Sequence, residues 1–306
     1  MGVAVVVAAL GASAAAQAQQ AGAEATRAEQ ARADETPEAD DELVWRYPTV
    51  RWWQYVVMFT APIALELMEV TFDEGAEEPR WRGGILFDDS VRDVFVGRTR
   101  RVRFLADAVT DAAMITMWLT PTVLEGIITA LIIEGKPDVA WQMIAINTQA
   151  YASSALVTLG LIRAVARERP MAQECATDPE YSELCESQHT RSFPSGHTAS
   201  TFMGAGLICA HHLHLELWGS PADEIACGTG LVLATATGLV RLTADRHYVS
   251  DVVVGAGIGL TFGWLVPWLL HYSQPIEPGG GEADLAPFVT PLVAEDALGI
   301  QAGAAF

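Results

Sequence analysis

Six apolar segments constrain the fold of this chain more than any other feature of its sequence. A helix needs about 20 mostly apolar residues to cross the hydrocarbon core of a bilayer. The second, third and sixth segments meet that length, whereas Glu66 and His212 make the first and fourth less apolar. The pattern predicts an all-helical bundle embedded in a membrane. The segments lie near residues 52–70, 105–133, 139–162, 198–217, 225–242 and 249–270.

The composition agrees with this interpretation and excludes one class of partner. Hydrophobic residues make up 51% of the chain, charged residues make up 18%, and the mean hydropathy is +0.24. These values are typical of a helical membrane protein with polar tails. The formal net charge of −20 argues against nucleic acid as a partner, because no basic stripe offsets phosphate repulsion.

The chain divides into four predicted regions. Residues 1–18 combine an apolar run with a small-residue cleavage site and predict a signal peptide, although its positively charged start is missing. Residues 19–51 are acidic without periodicity, which predicts a disordered linker. Residues 52–272 form the predicted helical domain, and residues 273–306 form a Pro/Gly-rich tail. Whether the signal peptide is cleaved stays open.

One stretch reads Arg-x5-His-x3-Asp, with Arg241, His247 and Asp251. A His and an Asp four residues apart in a helical turn lie on one face, within reach of each other. A carboxylate bonded to one ring nitrogen fixes the tautomer and frees the other nitrogen as a base or nucleophile. The guanidinium upstream brings a planar fork of donors suited to an oxyanion. A purely structural His–Asp pair remains the alternative for this stretch alone.

Two further stretches suit an anion. Ser195, Gly196 and His197 follow a proline and precede an apolar helix. Backbone N–H groups at a helix start form an anion cradle, to which the Ser hydroxyl adds a donor. The histidine is placed to give a proton to a departing oxygen. Arg169, before Pro170, adds a second guanidinium. Together the three stretches predict an oxyanion pocket that fits phosphoryl transfer through a phosphohistidine and needs no metal.

These stretches resemble the three motifs of the type 2 phosphatidic acid phosphatase (PAP2) family, which shares its fold with vanadium haloperoxidases and class A acid phosphatases. The family motifs are Lys-x6-Arg-Pro, Pro-Ser-Gly-His and Ser-Arg-x5-His-x3-Asp. The second is intact at 194–197, and the third has Val240 in place of its leading Ser. The first keeps Arg169-Pro170 but has Ile162 at the Lys position. The resemblance covers roughly residues 105–272 and implies a six-helix PAP2/haloperoxidase-type bundle.

The resemblance also implies roles for the site residues. His247 would be the nucleophile, oriented by Asp251, and His197 would protonate the leaving group and later activate water. No metal and no cofactor are implied. The residues that would hold the phosphate oxygens are Arg169, Ser195, Gly196 and Arg241.

The missing Lys leaves part of the charge neutralisation open. Arg163 and Arg167 are the auxiliary candidates for it. A neighbour on a helix points about 100° away from the position it would replace, which weighs against the first of them.

Two features bear on the side of the membrane. Cys175 and Cys185 lie ten residues apart in a polar loop, where a disulfide would indicate an oxidising compartment and unpaired thiols are the alternative. Cys209 and Cys227 lie in apolar segments and are predicted to be buried small hydrophobes. Seven arginines between residues 80 and 103 favour either an amphipathic helix on the membrane surface or a solvated basic face.

If six segments span the membrane, the arginine-rich loop and the pocket share one face. With a cleaved signal peptide, the positive-inside tendency makes that face cytoplasmic, whereas an uncleaved first segment places the pocket outside. We predict a multi-pass protein of the bacterial inner membrane with its site facing the periplasm.

The function predicted is a metal-independent phosphatase acting on a lipid phosphate or pyrophosphate, with the bilayer as its second partner. The alternatives are a soluble periplasmic acid phosphatase, a non-catalytic lipid-binding family member and a vanadate-dependent haloperoxidase. The headgroup and the oligomeric state are not fixed by any pattern in the sequence.

Overall fold

A computed structural model describes most of the chain from residue 43 onward. The predicted signal peptide and residues 19–42 of the predicted linker lie outside the described residues. The last nine residues of that linker are described, and there Leu43 and Val50 are buried against the helices. The packed domain therefore begins before residue 52. The described ranges are 43–71, 78–185, 189–276, 287–294 and 297–304.

All six predicted apolar segments are helical, and the described part of the chain holds eight α-helices. They are α1 (Trp52–Thr71), α2 (Asp88–Phe95), α3 (Arg100–Leu119), α4 (Pro137–Val165), α5 (Met171–Cys175), α6 (Gly196–Leu215), α7 (Ala222–Thr243) and α8 (Val249–Leu260). Three π-helical stretches prolong α3 and α8, namely Thr120–Ile133, Thr261–Leu265 and Trp268–Tyr272.

The C-terminal tail contains a two-stranded antiparallel hairpin that the sequence analysis did not predict. Strand β1 (Pro287–Ala294) pairs with β2 (Ala297–Ala304), with Pro287 opposite Ala304 and Ala294 opposite Ala297. The prediction of an all-helical bundle is confirmed for the domain that precedes this hairpin.

Three helices in the described part are long and apolar enough to cross a membrane, so the chain is a membrane protein. They are Arg100–Ile133, Ala222–Thr243 and Val249–Tyr272. The fifth apolar segment is therefore one of these helices. The third segment, which we predicted to be long and apolar enough to span, is not among them, so that prediction was wrong. The reason is that α4, the third segment, buries polar side chains that hydrogen-bond inside the bundle: Gln142 to Val50, Asn147 to Pro121 and Gln149 to Gln54.

Helix α6 is the centre of the bundle and packs along its length against α7 and α8. Glycines on α8 and its extension allow the two backbones to touch. A Cβ at Gly259 would collide with the carbonyl oxygen of Ala199, and a Cβ at Gly255 would lie 2.6 Å from that of Ser195. Small residues permit such close helix packing. The contact brings the starts of α6 and α8 together, and the Ser195 N–H donates to the Asp251 carbonyl oxygen at 3.0 Å.

Two disulfides add to the packing. Cys175 at the end of α5 pairs with Cys185, the pairing considered from the sequence. Cys209 and Cys227 also pair and join α6 to α7. Our prediction that these two are unpaired small hydrophobes was wrong, because two cysteines on separate apolar segments carry no spacing signal that shows they meet.

Candidate active site

His247 lies in the turn between α7 and α8 and is buried. Its Nδ1 lies 2.7 Å from the carbonyl oxygen of Ser192. Because a carbonyl oxygen only accepts, the ring proton sits on Nδ1 and Nε2 keeps its lone pair. None of the described residues hydrogen-bonds to Nε2. The arrangement leaves one imidazole nitrogen available as a nucleophile or base.

Asp251 does not orient this ring directly, which corrects the role expected from the sequence. Its Oδ2 lies 4.0 Å from Nδ1 of His247. That oxygen accepts instead from the Ser192 hydroxyl at 2.6 Å and from the Tyr248 N–H at 2.8 Å. Asp251 is therefore a positioning residue that holds Ser192, whose carbonyl oxygen in turn holds the histidine.

Arg167 occupies a different place from the auxiliary phosphate site considered above. Its side chain is fully buried between the rings of Trp81 and Tyr248, at 4.0 and 4.2 Å from their centroids. Its Nη1 donates to Asp251 Oδ1 at 2.5 Å, and its Nη2 donates to Asp88 Oδ2 at 2.8 Å. With its donors facing two carboxylates, Arg167 is part of the scaffold and not of the oxyanion pocket.

Arg163 lies half-buried in the last turn of α4, after which Ala166 takes a left-handed conformation and ends the helix. The preceding residue, Ile162, is buried and lines an apolar cavity described below. Arg167 is engaged by two carboxylates and does not replace the family lysine. A role for Arg163 at the phosphate site stays a prediction.

Three other arginines, Arg169, Arg241 and Arg246, meet near His247. Arg241 Nη1 donates to Asp107 and to the hydroxyl of Thr110, and Arg246 Nε donates to Asp107 Oδ2 at 2.9 Å. All three guanidinium groups are buried, and Nε of Arg169 has no hydrogen-bond partner among the described residues. Arg246 and Asp107 were missed because their contact joins α3 to the turn between α7 and α8, which are far apart in the sequence.

The electrostatics of these groups indicate an anion site. Burial, then the charges of Arg241 and Arg246, lower the pKa of Arg169 well below its usual value. Burial, then the charges of Arg241 and Arg169, hold the pKa of His247 well below its usual value, so its imidazole is neutral at pH 7. An excess of buried positive charge is relieved when an anion binds among the groups that carry it.

His197 lies in the first turn of α6, where its Nε2 is 2.6 Å from Asp111 Oδ1. Burial and the charge of Arg241 lower its pKa to about 4, against the opposing effect of the Asp111 carboxylate. A bound phosphate group would act in the same direction as that carboxylate and raise the pKa. Asp107 and Asp111 lie one helical turn apart on α3. Their carboxylates contact Arg241 and His197, respectively.

Ser195 and Gly196 form the start of α6. Ser195 is its N-cap, with a buried hydroxyl 2.8 Å from the hydroxyl of Thr198, so that oxygen is occupied in holding the helix start. The first N–H groups of a helix have no partner within it and face outward as anion donors. A Cβ at Gly196 would meet only Thr158, at 3.9 Å, so the space beside it is open.

An apolar cavity of about 740 Å³ adjoins this point. His197 and Gly196 lie at its polar end, and most of its wall comes from apolar residues of α1, α3 and α4. Ile162 belongs to this wall. The residue at the family lysine position therefore faces hydrocarbon-like surroundings and not the guanidinium cluster.

The structure thus brings together the core of the predicted site and leaves Arg167 out of it. The residues it collects at the ends of α4, α6, α7 and α8 are Arg169, Ser195, Gly196, His197, Arg241, His247 and Asp251.

Comparison with known proteins gives a family match over the region that carries these residues. Residues 144–275 match the model of the PAP2 superfamily. A lipid A 1-phosphatase of Porphyromonas gingivalis is 40% identical over 79 residues, which are 26% of this chain and 16% of that protein. The bacitracin transport permease protein BcrC of Bacillus licheniformis is 35% identical over 97 residues, which are 31% of this chain and 42% of that protein. The chain therefore spans less than half of either relative.

One solved structure also matches. It is the crystal structure of a transmembrane PAP2 type phosphatidylglycerolphosphate phosphatase from Bacillus subtilis. The match covers 71% of this chain and 94% of that chain, at 17% sequence identity and a TM-score of 0.47.

Proposed function

We propose that this protein, whose residues 144–275 match the model of the PAP2 superfamily, is a membrane phosphoric monoester hydrolase that acts on a lipid phosphate or pyrophosphate. The observation that carries the proposal is His247, whose ring is neutral, tied at Nδ1 to Ser192, and open at Nε2 beside a buried group of guanidinium ions. That combination suits a nucleophile which attacks phosphorus.

The reaction proceeds in two displacements. Nε2 of His247 attacks the phosphorus and forms a P–N bond as the P–O bond to the lipid breaks, and His197 gives its proton to the departing oxygen. A water molecule then attacks the phosphohistidine, with His197 taking its proton, and inorganic phosphate leaves as the P–N bond breaks. Arg169, Arg241 and the Gly196 N–H stabilise the charge on the phosphoryl oxygens in both steps.

The cationic pocket supports metal independence. Three buried guanidinium groups already supply the positive charge that a divalent ion would provide, and they would repel such an ion. His197 must be protonated when the lipid departs, and the phosphate bound beside it favours that form.

The apolar cavity supports a lipid substrate. It begins at His197 and is walled by helices of the membrane domain, so a hydrocarbon chain can occupy it while the headgroup reaches the arginines. One relative is named a lipid A 1-phosphatase, which is consistent with a lipid phosphate of some kind. The Cys175–Cys185 disulfide, close in sequence to Arg169, supports an active site on the oxidising, periplasmic side of the inner membrane.

The experiment that tests the proposal is phosphate release from a panel of lipid phosphates by detergent-purified protein, with chelator present. Rapid quenching into alkali should trap a phosphohistidine in the wild type and none in His247→Ala. Release that requires an added divalent metal would overturn the metal-independent mechanism. Absence of release by folded protein on every substrate would favour the non-catalytic alternative.

A further inference from the structure

Helix α2 lies where the chain approaches the membrane. Four residues, 96–99, separate it from Arg100, the first residue of a helix long and apolar enough to cross the bilayer. A helix so close to the start of a span is held near the headgroup region. Arg98 and Arg101, exposed beside it, suit anionic headgroups.

The faces of α2 are reversed relative to those of a helix on a water-soluble domain. At about 100° per residue, Asp88 and Arg92 share one side and Phe87 and Val94 share another. The charged side is turned inward: Asp88 is 1% exposed, whereas Val94 is 78% exposed and Phe87 is 59% exposed. The preceding Leu86 is 91% exposed. Water-soluble domains bury the apolar side of a surface helix, so this outward apolar face calls for an apolar environment.

A third side of the helix is acidic. Asp89 and Asp93 are exposed and point away from both Asp88 and Val94. A helix lying in a membrane interface has such a hydrated side next to its apolar side.

The inward side leads to the nucleophile through a continuous series of hydrogen bonds. Asp88 Oδ2 accepts from Arg167 Nη2 at 2.8 Å, and Arg167 Nη1 donates to Asp251 Oδ1 at 2.5 Å. Asp251 Oδ2 accepts from the Ser192 hydroxyl at 2.6 Å, and the Ser192 carbonyl oxygen accepts from His247 Nδ1 at 2.7 Å. We call this series the Asp88–His247 relay.

Asp88 is also tied to the helix that follows the nucleophile. It accepts from the Ser250 N–H at 2.9 Å and from the Ser250 hydroxyl at 2.7 Å. Asp88 Oδ2 also accepts from the Ile85 N–H at 2.9 Å, in the turn that leads into α2. Its contacts with Arg167 and Ser250 tie the start of α2 to the scaffold on which His247 rests.

We propose that α2 is an interfacial helix: its apolar face lies in the headgroup region of an anionic bilayer, and Asp88 on its inner face positions His247 through the relay. The membrane contact stands independently of the reaction, whereas the positioning role rests on the proposed function. The occupant of the exposed face is the same bilayer that the adjoining helix crosses.

The membrane contact is tested with one fluorescent label at two adjacent positions. The four native cysteines are paired in disulfides, so a single introduced cysteine takes the label. Val94→Cys and Asp93→Cys are labelled with an environment-sensitive dye and reconstituted into vesicles containing phosphatidylglycerol. At position 94 the emission should shift to the blue and be quenched by lipids with a nitroxide near the headgroup. At position 93 neither should occur. Equal responses at the two positions would overturn the interfacial placement.

The positioning role is tested with Asp88→Asn and, as a matched control, Asp89→Asn on the exposed neighbour. The first variant should lower kcat about 10- to 100-fold with KM changed less than about twofold, because the nucleophile is misplaced while the phosphate pocket is intact. The control should match the wild type. A KM that rises with kcat unchanged, or a well-folded Asp88→Asn variant with wild-type kcat, would overturn the role.

Ser250→Ala keeps the test decisive if Asp88→Asn does not fold. It removes one partner of Asp88 and should lower kcat about threefold at unchanged KM, and wild-type kcat in this variant would then refute positioning. If the wild type itself releases no phosphate, the proposed function fails, but the label experiment still decides the membrane contact.

Discussion

The histidines His211 and His212, near the C-terminal end of α6, differ in character from His197 and His247, near its start. Near the C-terminal end, His211 has both ring nitrogens bonded, Nδ1 to the Tyr272 hydroxyl and Nε2 to Asn147 Oδ1, each at 2.7 Å. His212, beside it, lies between Asp223 at 2.6 Å and Glu125 at 3.3 Å. All are buried, and neither histidine lines the cavity that His197 faces.

Near the start of α6, His197 and His247 each have one ring nitrogen engaged and one without a hydrogen-bond partner among the described residues. His247 is tied through Nδ1 alone and His197 through Nε2 alone, and the latter faces a cavity. Residue types are the same at both ends, so residue type does not distinguish them. What distinguishes them is whether a ring nitrogen is left without a partner next to open space. Histidines whose rings are enclosed by buried partners, here called closed, stabilise the bundle. Histidines with an unpartnered ring nitrogen next to open space, here called open, are available for chemistry.

The largest expected effect separates the two ends by activity. His247→Ala should lower phosphate release by at least about 1,000-fold, because no other group can form the covalent intermediate. His211→Ala should keep kcat within about threefold per folded molecule. Active-site titration with vanadate, compared with total protein, corrects for misfolded material. Equal losses in the two variants would show that the distinction between open and closed histidines is without value here.

The next effect separates the ends by stability. His212→Ala leaves the buried side chains of Glu125 and Asp223 without the ring that lies between them, which should cost about 3 kcal/mol. Thermal unfolding in detergent should show a clearly lower midpoint, while His197→Ala, at the open end, should leave the midpoint near that of the wild type. A reversed order would contradict the comparison.

A smaller effect concerns the pH dependence of His197. Burial and the charge of Arg241 lower the pKa of His197 to about 4, and the Asp111 carboxylate opposes this shift. Removing the carboxylate charge in Asp111→Asn should therefore lower the pKa further. The acid form donates the proton, and it is lost as pH rises through the pKa. The falling limb of the kcat profile should therefore move to lower pH, with activity at pH 7 reduced about tenfold. The control is Glu134→Gln, just beyond the far end of the membrane-crossing helix Arg100–Ile133 that carries Asp111. An unmoved pH profile in Asp111→Asn would refute a role for the Asp111–His197 contact.

The smallest effect concerns the cavity wall. Ile162→Lys places a charge where the surroundings are apolar, so KM for a long-chain lipid phosphate should rise about fivefold while kcat stays near the wild-type value. Ile162→Met, which keeps the volume and polarity, should be neutral. Initial rates on long- and short-chain substrates measure both. If the lysine instead raises kcat, position 162 serves the phosphate site after all.

The sequence was informative where chemistry lies in short contiguous motifs. Its resemblance to the PAP2 family is confirmed over residues 144–275, and His197, His247 and Arg241 meet as expected. The apolar segments likewise predicted the six long helices, because each contains enough of its own signal.

Contacts between distant elements could not be predicted in this way. Asp107 and Asp111 belong to none of the three motifs, and only the packing of α3 against α6 and α7 makes them partners of Arg241 and His197. Nothing in the sequence likewise indicates where the Arg167 side chain lies. The chain leaves the helix at Ala166, and Arg167 turns toward Asp88 and Asp251.

The glycine contact between α6 and α8 has a consequence for how such a protein can diversify. It fixes both histidine motifs on one rigid pair of helices, where almost any larger side chain would collide with a facing carbonyl. The cavity wall comes mainly from α1, α3 and α4, outside that pair. Substitutions in the wall can therefore change which hydrocarbon fits without moving the histidines, so the specificity of the site can change while its chemistry stays the same.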